Sequence, residues 1–266
     1  MKFIIDHDFH IHSTLSSCCY DPELTPEAIL KYAEESGLKS ICLTNHYWDE
    51  AVEGVSSWYS RQNTPHVKRA LPLPSRDGID YMFGCETEMR QDLALGISAE
   101  RFSEFDFVVI PTTHLHMDGF TYPKDFVDTP ENRAQLWVER LDHLLAMDLP
   151  FHKIGIAHLA CELINRNSGG EYLRTLELIP EERMTELFKR AAVLGCGIEI
   201  NRADMTFRHG GVDTVLRPFR IAKACGCKFY LGSDAHHRDD LYVSREIFER
   251  AVDLLSLTER DKFILG

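Results

Sequence analysis

The chain has 266 residues, 44% of them hydrophobic, and a formal net charge of −13 at pH 7. A chain of this size can bury a substantial core, and no repeat or linker rich in glycine, proline or serine divides it, so we expect a single domain over residues 1–266. The negative charge argues against a long nucleic acid as ligand, because binding to a phosphate backbone depends on a basic surface.

Neither a membrane segment nor a secretion signal is expected. No apolar stretch approaches the roughly 20 residues that a membrane helix needs, and the N-terminus lacks a basic and then apolar pattern. The eight cysteines are scattered, without Cys-x-x-Cys pairing. We therefore expect a cytoplasmic protein with reduced thiols and no membrane partner.

Short apolar segments alternate with amphipathic ones along the chain. The strand candidates are residues 2–7, 40–45, 80–86, 105–112, 153–158, 196–201 and 228–233. Threonine caps followed by proline, helical spacing of apolar residues and closing glycines predict helices over residues 25–37, 129–147 and 184–195 and from residue 244 onward. Seven strands and as many helices favour an α/β fold, a barrel slightly short of eight units.

Two polar stretches follow predicted strands and are expected to lie at the C-terminal mouth of the barrel, where active-site loops are found. They span residues 47–79 and 160–179. The first contains Trp58, Tyr59 and several basic residues, and its prolines are expected to prevent regular structure. It is either a cover for a substrate or an ordinary surface insertion.

Metal-ligand spacing occurs at both ends of the chain. His10 and His12 are one residue apart, so on a strand both side chains point to the same face. A second pair, Asp234 and His236, follows the last predicted strand. When a parallel sheet closes into a barrel, the first and last strands become neighbours, and the two pairs can then reach a common ion.

Most of the other predicted strand ends also carry a histidine or a carboxylate. The candidate metal ligands are His10, His12, His46, Glu86, His114, His158, Asp234 and His236. Zinc, manganese and iron prefer such ligands, and eight exceed what one ion can take. Two ions that share a carboxylate, or three ions, would use them all.

These motifs resemble the PHP (polymerase and histidinol phosphatase) superfamily over nearly the whole chain. The matching segments are Asp8-x-His10-x-His12, Thr44-Asn45-His46, Gly84-x-Glu86, His114, His158, Glu199-Ile-Asn201 and Gly232-Ser-Asp234-Ala-His236. The resemblance implies a distorted seven-stranded barrel, similar to a TIM barrel, that hydrolyses phosphoesters. It further implies one ion on His10, His12, Glu86 and Asp234, a second on Glu86, His114 and His158, and a third on His46 and His236.

The chain departs from the family pattern at three points. Asn45 stands where the family usually has aspartate, and a histidine–glycine element typical of the histidinol phosphatase branch is missing, so that substrate is not assigned. Cys18 stands near the position of a further ligand to the third ion. Its thiolate either ligates in place of that ligand or is buried and inert.

The expected chemistry is hydrolysis of a small phosphate ester by a hydroxide that bridges two dications. Glu86 and Asp234 are the catalytic candidates, and Arg202 is the candidate for binding the phosphate in a bidentate fork. Glu199 is expected to support a ligand rather than bind metal. The alternatives are a metal-dependent hydrolase of amides or lactones, and a metal-binding module without turnover.

Overall fold

The computed structural model describes residues 1–165 and 170–265. Within these ranges the strands are β1 (His7–Ile11), β2 (Ser40–Leu43), β3 (His46–Tyr47), β4 (Asp80–Phe83), β5 (Cys85–Thr87), β6 (Val108–Pro111), β7 (Ile154–Ala157), β8 (Gly197–Asn201) and β9 (Lys228–Gly232). The α-helices are α1 (Pro26–Glu35), α2 (Thr64–Val67), α3 (Pro130–Ala146), α4 (Glu171–Leu178), α5 (Glu181–Leu194), α6 (Val212–Ala224) and α7 (Arg238–Leu255).

The strands form two parallel sheets, in the orders β1-β2-β4 and β3-β5-β6-β7-β8-β9. Only two residues separate β2 from β3 and one separates β4 from β5, so each pair continues one strand from the first sheet into the second. β9 returns beside β1, where the Asp234 amide donates to the His10 carbonyl at 2.7 Å. Counted in this way, seven strand positions follow one another, and the expected α/β barrel-like fold is confirmed.

The helix boundaries follow local capping signals. The Thr25 side chain accepts a hydrogen bond from the Ala28 amide at the start of α1, and Thr129 caps α3 in the same way. Gly195 ends α5 with a φ of +82°, a left-handed conformation that glycine adopts at little cost. α7 begins six residues before the predicted start at residue 244, because His237 and Asp240 form a capping box there.

The predicted first strand was displaced. Residues 2–7 were expected to form it, whereas β1 begins at His7 and continues through the buried residues Asp8 and His10. Phe3 instead donates its amide to the Leu257 carbonyl near the C-terminus. The apolar run therefore precedes the strand, and β1 combines the polar residues His7, Asp8 and His10 with the buried apolar residues Phe9 and Ile11.

The first long loop, residues 47–79, is partly regular. Pro65 lies within α2, where the first turn of a helix tolerates proline because its amide has no intrahelical acceptor. The expectation that the prolines exclude regular structure was therefore wrong for this segment. In the second loop, residues 160–179, α4 is formed, and residues 166–169 lie outside the described part of the chain.

Two apolar clusters support the strands from either side. The larger one packs the helices against the sheets. A smaller one contains Phe9, Phe107, Val109 and Tyr230 and lies between strands. In the described ranges no helix is long and apolar enough to cross a membrane.

Candidate metal centre

The predicted metal ligands come together at the C-terminal ends of the strands. His10 lies in β1, and Glu86 pairs with His46 in register between β5 and β3. His158 directly follows β7, and Asp234 follows β9 by two residues. We refer to His10, His12, His46, Glu86, His158, Asp234 and His236 as the histidine–carboxylate cluster.

Glu86 has the central position in this cluster. Its Oε2 lies 2.9 Å from His46 Nδ1, 3.3 Å from His12 Nε2 and 3.5 Å from His10 Nε2. Its Oε1 lies 3.3 Å from His158 Nε2. The residue is 1% exposed. One carboxylate thus faces four imidazoles that belong to three different parts of the chain.

The geometry fits metal ions. Three overlapping groups each place their potential ligand atoms within 4.8 Å of one another: His10, His12 and Asp234; His10, Glu86 and His158; His12, His46 and His236. The Nε2 atoms of His10 and His12 face each other at 3.1 Å. Neither buried oxygen of Glu86 has a hydrogen bond of good geometry within the described residues. Converging lone pairs without donors are the arrangement that a cation stabilises.

A second set of polar groups orients these imidazoles. His10 Nδ1 donates to Glu199 Oε1 at 2.7 Å, and the His158 amide donates to Glu199 Oε2 at 2.8 Å. A Cβ at Gly232 would lie 1.9 Å from Glu199 Oε1, so glycine is required for the carboxylate to reach His10. Such partners fix the tautomer and direct the other ring nitrogen toward the ions.

Two orienting residues were missed at the sequence level. Ser16 Oγ lies 2.8 Å from His12 Nδ1, and Glu88 Oε2 lies 2.8 Å from His114 Nδ1. Ser16 also donates to Asn45 Oδ1. The amide oxygen of Asn45 can accept this hydrogen bond as an aspartate oxygen would, so the asparagine at this position still holds Ser16 in place. The Glu86-x-Glu88 spacing was a usable signal for Glu88, because alternate residues of a strand share a face.

We expect the Glu199→Gln variant to bind divalent metal about 10–100-fold more weakly, the usual cost of losing such an orienting partner. The glutamine amide would place a donor against either His10 Nδ1 or the His158 backbone amide, both of which now donate to the carboxylate. The His10 ring would then lose its tautomer or its position. Equilibrium dialysis with zinc or manganese measures the change. The exposed Glu246→Gln variant on α7 is the matched control, and equal affinity in both variants would contradict this role for Glu199.

His114 and Arg202 are placed differently from the cluster. His114 stacks on His158, with ring centroids 4.5 Å apart, and it belongs to none of the three groups. The Arg202 guanidinium donates from Nε to the Ser233 carbonyl at 3.0 Å and pairs with Asp240 at 3.0 Å. Among the described residues that line the cavities next to the cluster, Arg202 is absent. Its predicted role in phosphate binding stays a prediction.

Charge coupling shifts the pKa values of the cluster. Burial by itself would raise the pKa of Glu86, but His46 and His10 reverse this and hold it well below the ordinary range. The pKa of Asp234 is likewise lowered, because His10 and His12 outweigh the burial. Burial and the neighbouring His12 lower the pKa of His236 to about 3. At neutral pH, both carboxylates are therefore ionised and His236 is neutral. The same carboxylates, together with Glu199, outweigh burial and raise the pKa of His10, and the pKa values of His12 and His158 are raised as well. A metal ion that binds here must therefore displace protons from these three imidazoles.

Among the described residues, two cavities open at the cluster. The main cavity, about 670 Å³, is lined by His46, Glu86, His114, Asp234 and His236 together with Cys18, Tyr20, Trp58, Tyr59, His116, Met117 and Leu163. The second cavity, about 200 Å³, shares His114 and Asp234 and includes Arg208. Cys18 thus lies beside the proposed third ion position, and burial raises the pKa of its thiol. The first loop contributes Trp58 and Tyr59 to this site, while Lys68 and Arg76 of the same loop pair with glutamates elsewhere.

Comparisons with known proteins place this geometry in context. The model of the PHP domain family matches residues 8–203. Histidinol phosphate phosphatase of Lactococcus lactis, solved with zinc, L-histidinol and phosphate, aligns with a TM-score of 0.59 at 18% identity, over 92% of this chain and 93% of that chain. A Listeria monocytogenes protein assigned as a histidinol phosphatase aligns with a TM-score of 0.56 at 16% identity, over 88% and 96% of the two chains. At such low identity these likenesses show the fold alone. A comparison with curated proteins by sequence found no match.

Proposed function

The chain belongs to the PHP domain family, and from this premise we propose that it is a metal-dependent phosphoesterase that hydrolyses a small phosphate ester. The observation that carries the proposal is the position of Glu86 between His10, His12, His46 and His158, with its carboxylate oxygens facing their ring nitrogens. We also propose that residues 1–266 form one domain, since β9 pairs with β8 and returns beside β1.

The ligand set supports two or three divalent ions, with zinc, manganese and iron as candidates. We assign His10, His12, Glu86 and Asp234 to one ion, Glu86, His114 and His158 to a second, and His46 with His236 to a third. For His114, which lies outside the three ligand groups, the assignment rests on the family resemblance and on its place in the lining of both cavities. When bound, the ions would activate a water molecule and neutralise charge on the phosphoryl oxygens. The zinc in the Lactococcus lactis structure agrees with this ligand chemistry.

The protein groups around the cluster hold it in one arrangement. Glu199 and Ser16 bind the Nδ1 atoms of His10 and His12. The Nε2 atoms of both histidines therefore point to Glu86 and Asp234. Asp8 Oδ1 accepts from the Ser233 amide at 2.9 Å and holds the end of β9 against β1. Burial raises the pKa of Asp8 to about 7, although the Ser233 amide opposes the shift. Asp8 belongs to none of the three ligand groups, so we assign it the role of positioning the strands.

For the phosphate we propose Arg208 as the first contact. Arg208 lines the second cavity beside His158 and Asp234, and its side chain is 70% exposed, with Glu162 3.9 Å away as a loose partner. Arg202, the earlier candidate, has its guanidinium bonded to Asp240 and Ser233. A loosely held guanidinium can turn toward a phosphate and bind it in a bidentate manner.

We expect Arg208→Ala to raise KM for a phosphate monoester about tenfold, the loss of one charge-assisted contact, with metal content unchanged. Arg202→Ala is the matched comparison and is expected to change KM less than threefold, because its bonds lie within the protein. Steady-state kinetics with added manganese measures both. The reverse order of the two effects would restore Arg202 as the phosphate contact.

A screen of chromogenic phosphate monoesters and diesters with added manganese or zinc tests the proposed function itself. Turnover that depends on the metal is expected. Among described residues, neither cavity is lined by a lysine, the residue that amide and lactone hydrolases of barrel fold commonly place between two metals. Metal binding without turnover of any ester would contradict the enzyme proposal and favour a binding module.

A further inference from the structure

The main cavity combines the histidine–carboxylate cluster with an aromatic and apolar wall. This wall consists of Tyr20, Trp58, Tyr59, Met117 and Leu163. The ionisable groups of the lining are histidines and a cysteine, the tyrosine hydroxyls, and the two carboxylates of the cluster. Within the described ranges no lysine or arginine lines this cavity. The chemistry of the wall therefore differs from that of the metal centre beside it.

Two residues of the wall, Tyr59 and Trp58, pack against the proposed metal ligand His46, and Trp58 is the nearer of the two. Its ring packs edge to face against His46, with centroids 5.0 Å apart and an interplanar angle of 72°. The residue remains 37% exposed and is one of the large hydrophobic residues at the surface. Leaving such a ring open to solvent costs free energy, and exposed apolar surface beside polar groups marks ligand sites.

The position of Trp58 is fixed by its neighbours. Tyr59 packs against the Trp58 ring at 4.6 Å and is itself 1% exposed, anchored on Trp48 and Phe120. The buried Gln62 donates to the Trp58 carbonyl at 3.3 Å and accepts from the Ser17 amide at 2.8 Å. This part of the wall is therefore preorganised, so little conformational entropy is lost when a ligand packs on Trp58.

We propose that this wall binds the alcohol part of the phosphate ester and selects monophosphates whose alcohol carries a planar, uncharged ring. The inference rests on the proposed function, because it names the substrate class of the same site. A ring that stacks on or packs against Trp58 gains both buried apolar area and a specific aromatic contact. An alkyl alcohol of two carbons has no ring and offers the wall far less apolar area, so it gains little from this contact.

The charge of the lining supports the same class. A second phosphate on the substrate would enter a cavity in which the described lining offers no lysine or arginine, so its desolvation would be poorly compensated. Polyhydroxylated alcohols would likewise lose hydrogen bonds to water against Trp58, Met117 and Leu163. Bisphosphates and sugar phosphates are thus expected to be poor ligands.

The test compares two phosphonates that cannot be hydrolysed, benzylphosphonate and ethylphosphonate, binding to the zinc-loaded protein by calorimetry. We expect benzylphosphonate to bind at least tenfold more tightly. Trp58→Ala should reduce benzylphosphonate affinity at least fivefold and ethylphosphonate affinity less than twofold. Trp58→Phe, which keeps a ring, should retain most of the preference, and Tyr242→Ala at an exposed position on α7 should change neither affinity.

Hydrolysis of benzyl phosphate and ethyl phosphate by the same preparations separates this inference from the proposed function. Both leaving groups are primary alcohols, so a difference in kcat/KM reports on binding to the wall. Equal affinity for the two phosphonates, or no binding of either, overturns the inference, even if both esters are hydrolysed. Preferential binding of benzylphosphonate that depends on Trp58 supports it, even if neither ester is hydrolysed and the phosphoesterase proposal fails.

Discussion

Replacement of Glu86 by glutamine is expected to remove bound metal and phosphoesterase activity together. Both oxygens of Glu86 face imidazole nitrogens, from His46 at 2.9 Å to His10 at 3.5 Å, and the side chain is buried. A glutamine of the same shape has one oxygen fewer and no charge, and its amide group donates where ligand atoms must accept. We expect metal affinity to fall more than about 100-fold and kcat by at least about 10³-fold.

Elemental analysis of dialysed protein, combined with kcat measured at saturating manganese, tests this expectation. Glu139→Gln on the exposed face of α3 is the matched control and should retain both properties. Circular dichroism shows whether the Glu86→Gln protein is folded. Full turnover by a folded, metal-depleted Glu86→Gln protein would contradict both the metal centre and the proposed function.

Replacement of Arg140 by methionine is expected to destabilise the fold by about 3–5 kcal/mol, the usual cost of breaking a buried ion pair by removing one partner. Arg140 is completely buried in α3. Its guanidinium donates to the carbonyls of Thr112, Thr121 and Met89 at 2.8–3.0 Å and approaches Glu88 Oε1 at 3.4 Å. Methionine fills a similar volume but leaves these acceptors without donors. Urea unfolding measures the loss.

The loss should grow with pH. Burial raises the pKa of Glu88 to about 7 from an ordinary value of 4.5, and Arg140 partly opposes the shift. Because the folded state binds this proton more tightly than the unfolded chain, the contribution of Glu88 to stability falls as pH rises from about 4.5 to 7. Without Arg140 the pKa rises further, so the variant loses more than the wild type above neutral pH.

Urea unfolding of both proteins at pH 5 and pH 8 measures this difference. A Glu88→Gln, Arg140→Met double variant serves as the control, because it has no carboxylate to ionise and its deficit should not grow with pH. A deficit for Arg140→Met that is equal at the two pH values, or smaller at pH 8, would show that Glu88 is not the responsible group.

Local signals in the sequence were sufficient for several elements. The caps Thr25 and Thr129 and the closing Gly195 lie where predicted, since capping depends on residues within one helical turn. Predictions failed where distant partners decide. β1 was placed too early because Asp8 and His10 look unsuited to a buried strand and their partners are distant in sequence. Asp8 accepts a hydrogen bond from the Ser233 amide, and His10 donates one to Glu199.

The candidate site divides in the same way. The alternate spacing of His10 and His12 placed both on one face, and the structure brings both to Glu86. Arg202 was chosen because it follows a strand, and its role in binding phosphate stays a prediction. Its ion pair with Asp240 of α7 is visible only in the structure. Arg140 and Glu88 gave no clear signal of their pairing, because they are 52 residues apart and meet only when α3 packs on the barrel.

By itself the sequence determined the class of fold, the family motifs and the residue types at the strand ends, because these depend on short periodicities and on ligand chemistry. Only the tertiary structure decided which oxygens face which imidazoles, which residues orient them, and that Trp58 lies against His46. The physical reason is that ligand geometry and cavity shape depend on distances between segments far apart in the chain. Those distances are set by strand register and helix packing, which no local pattern specifies.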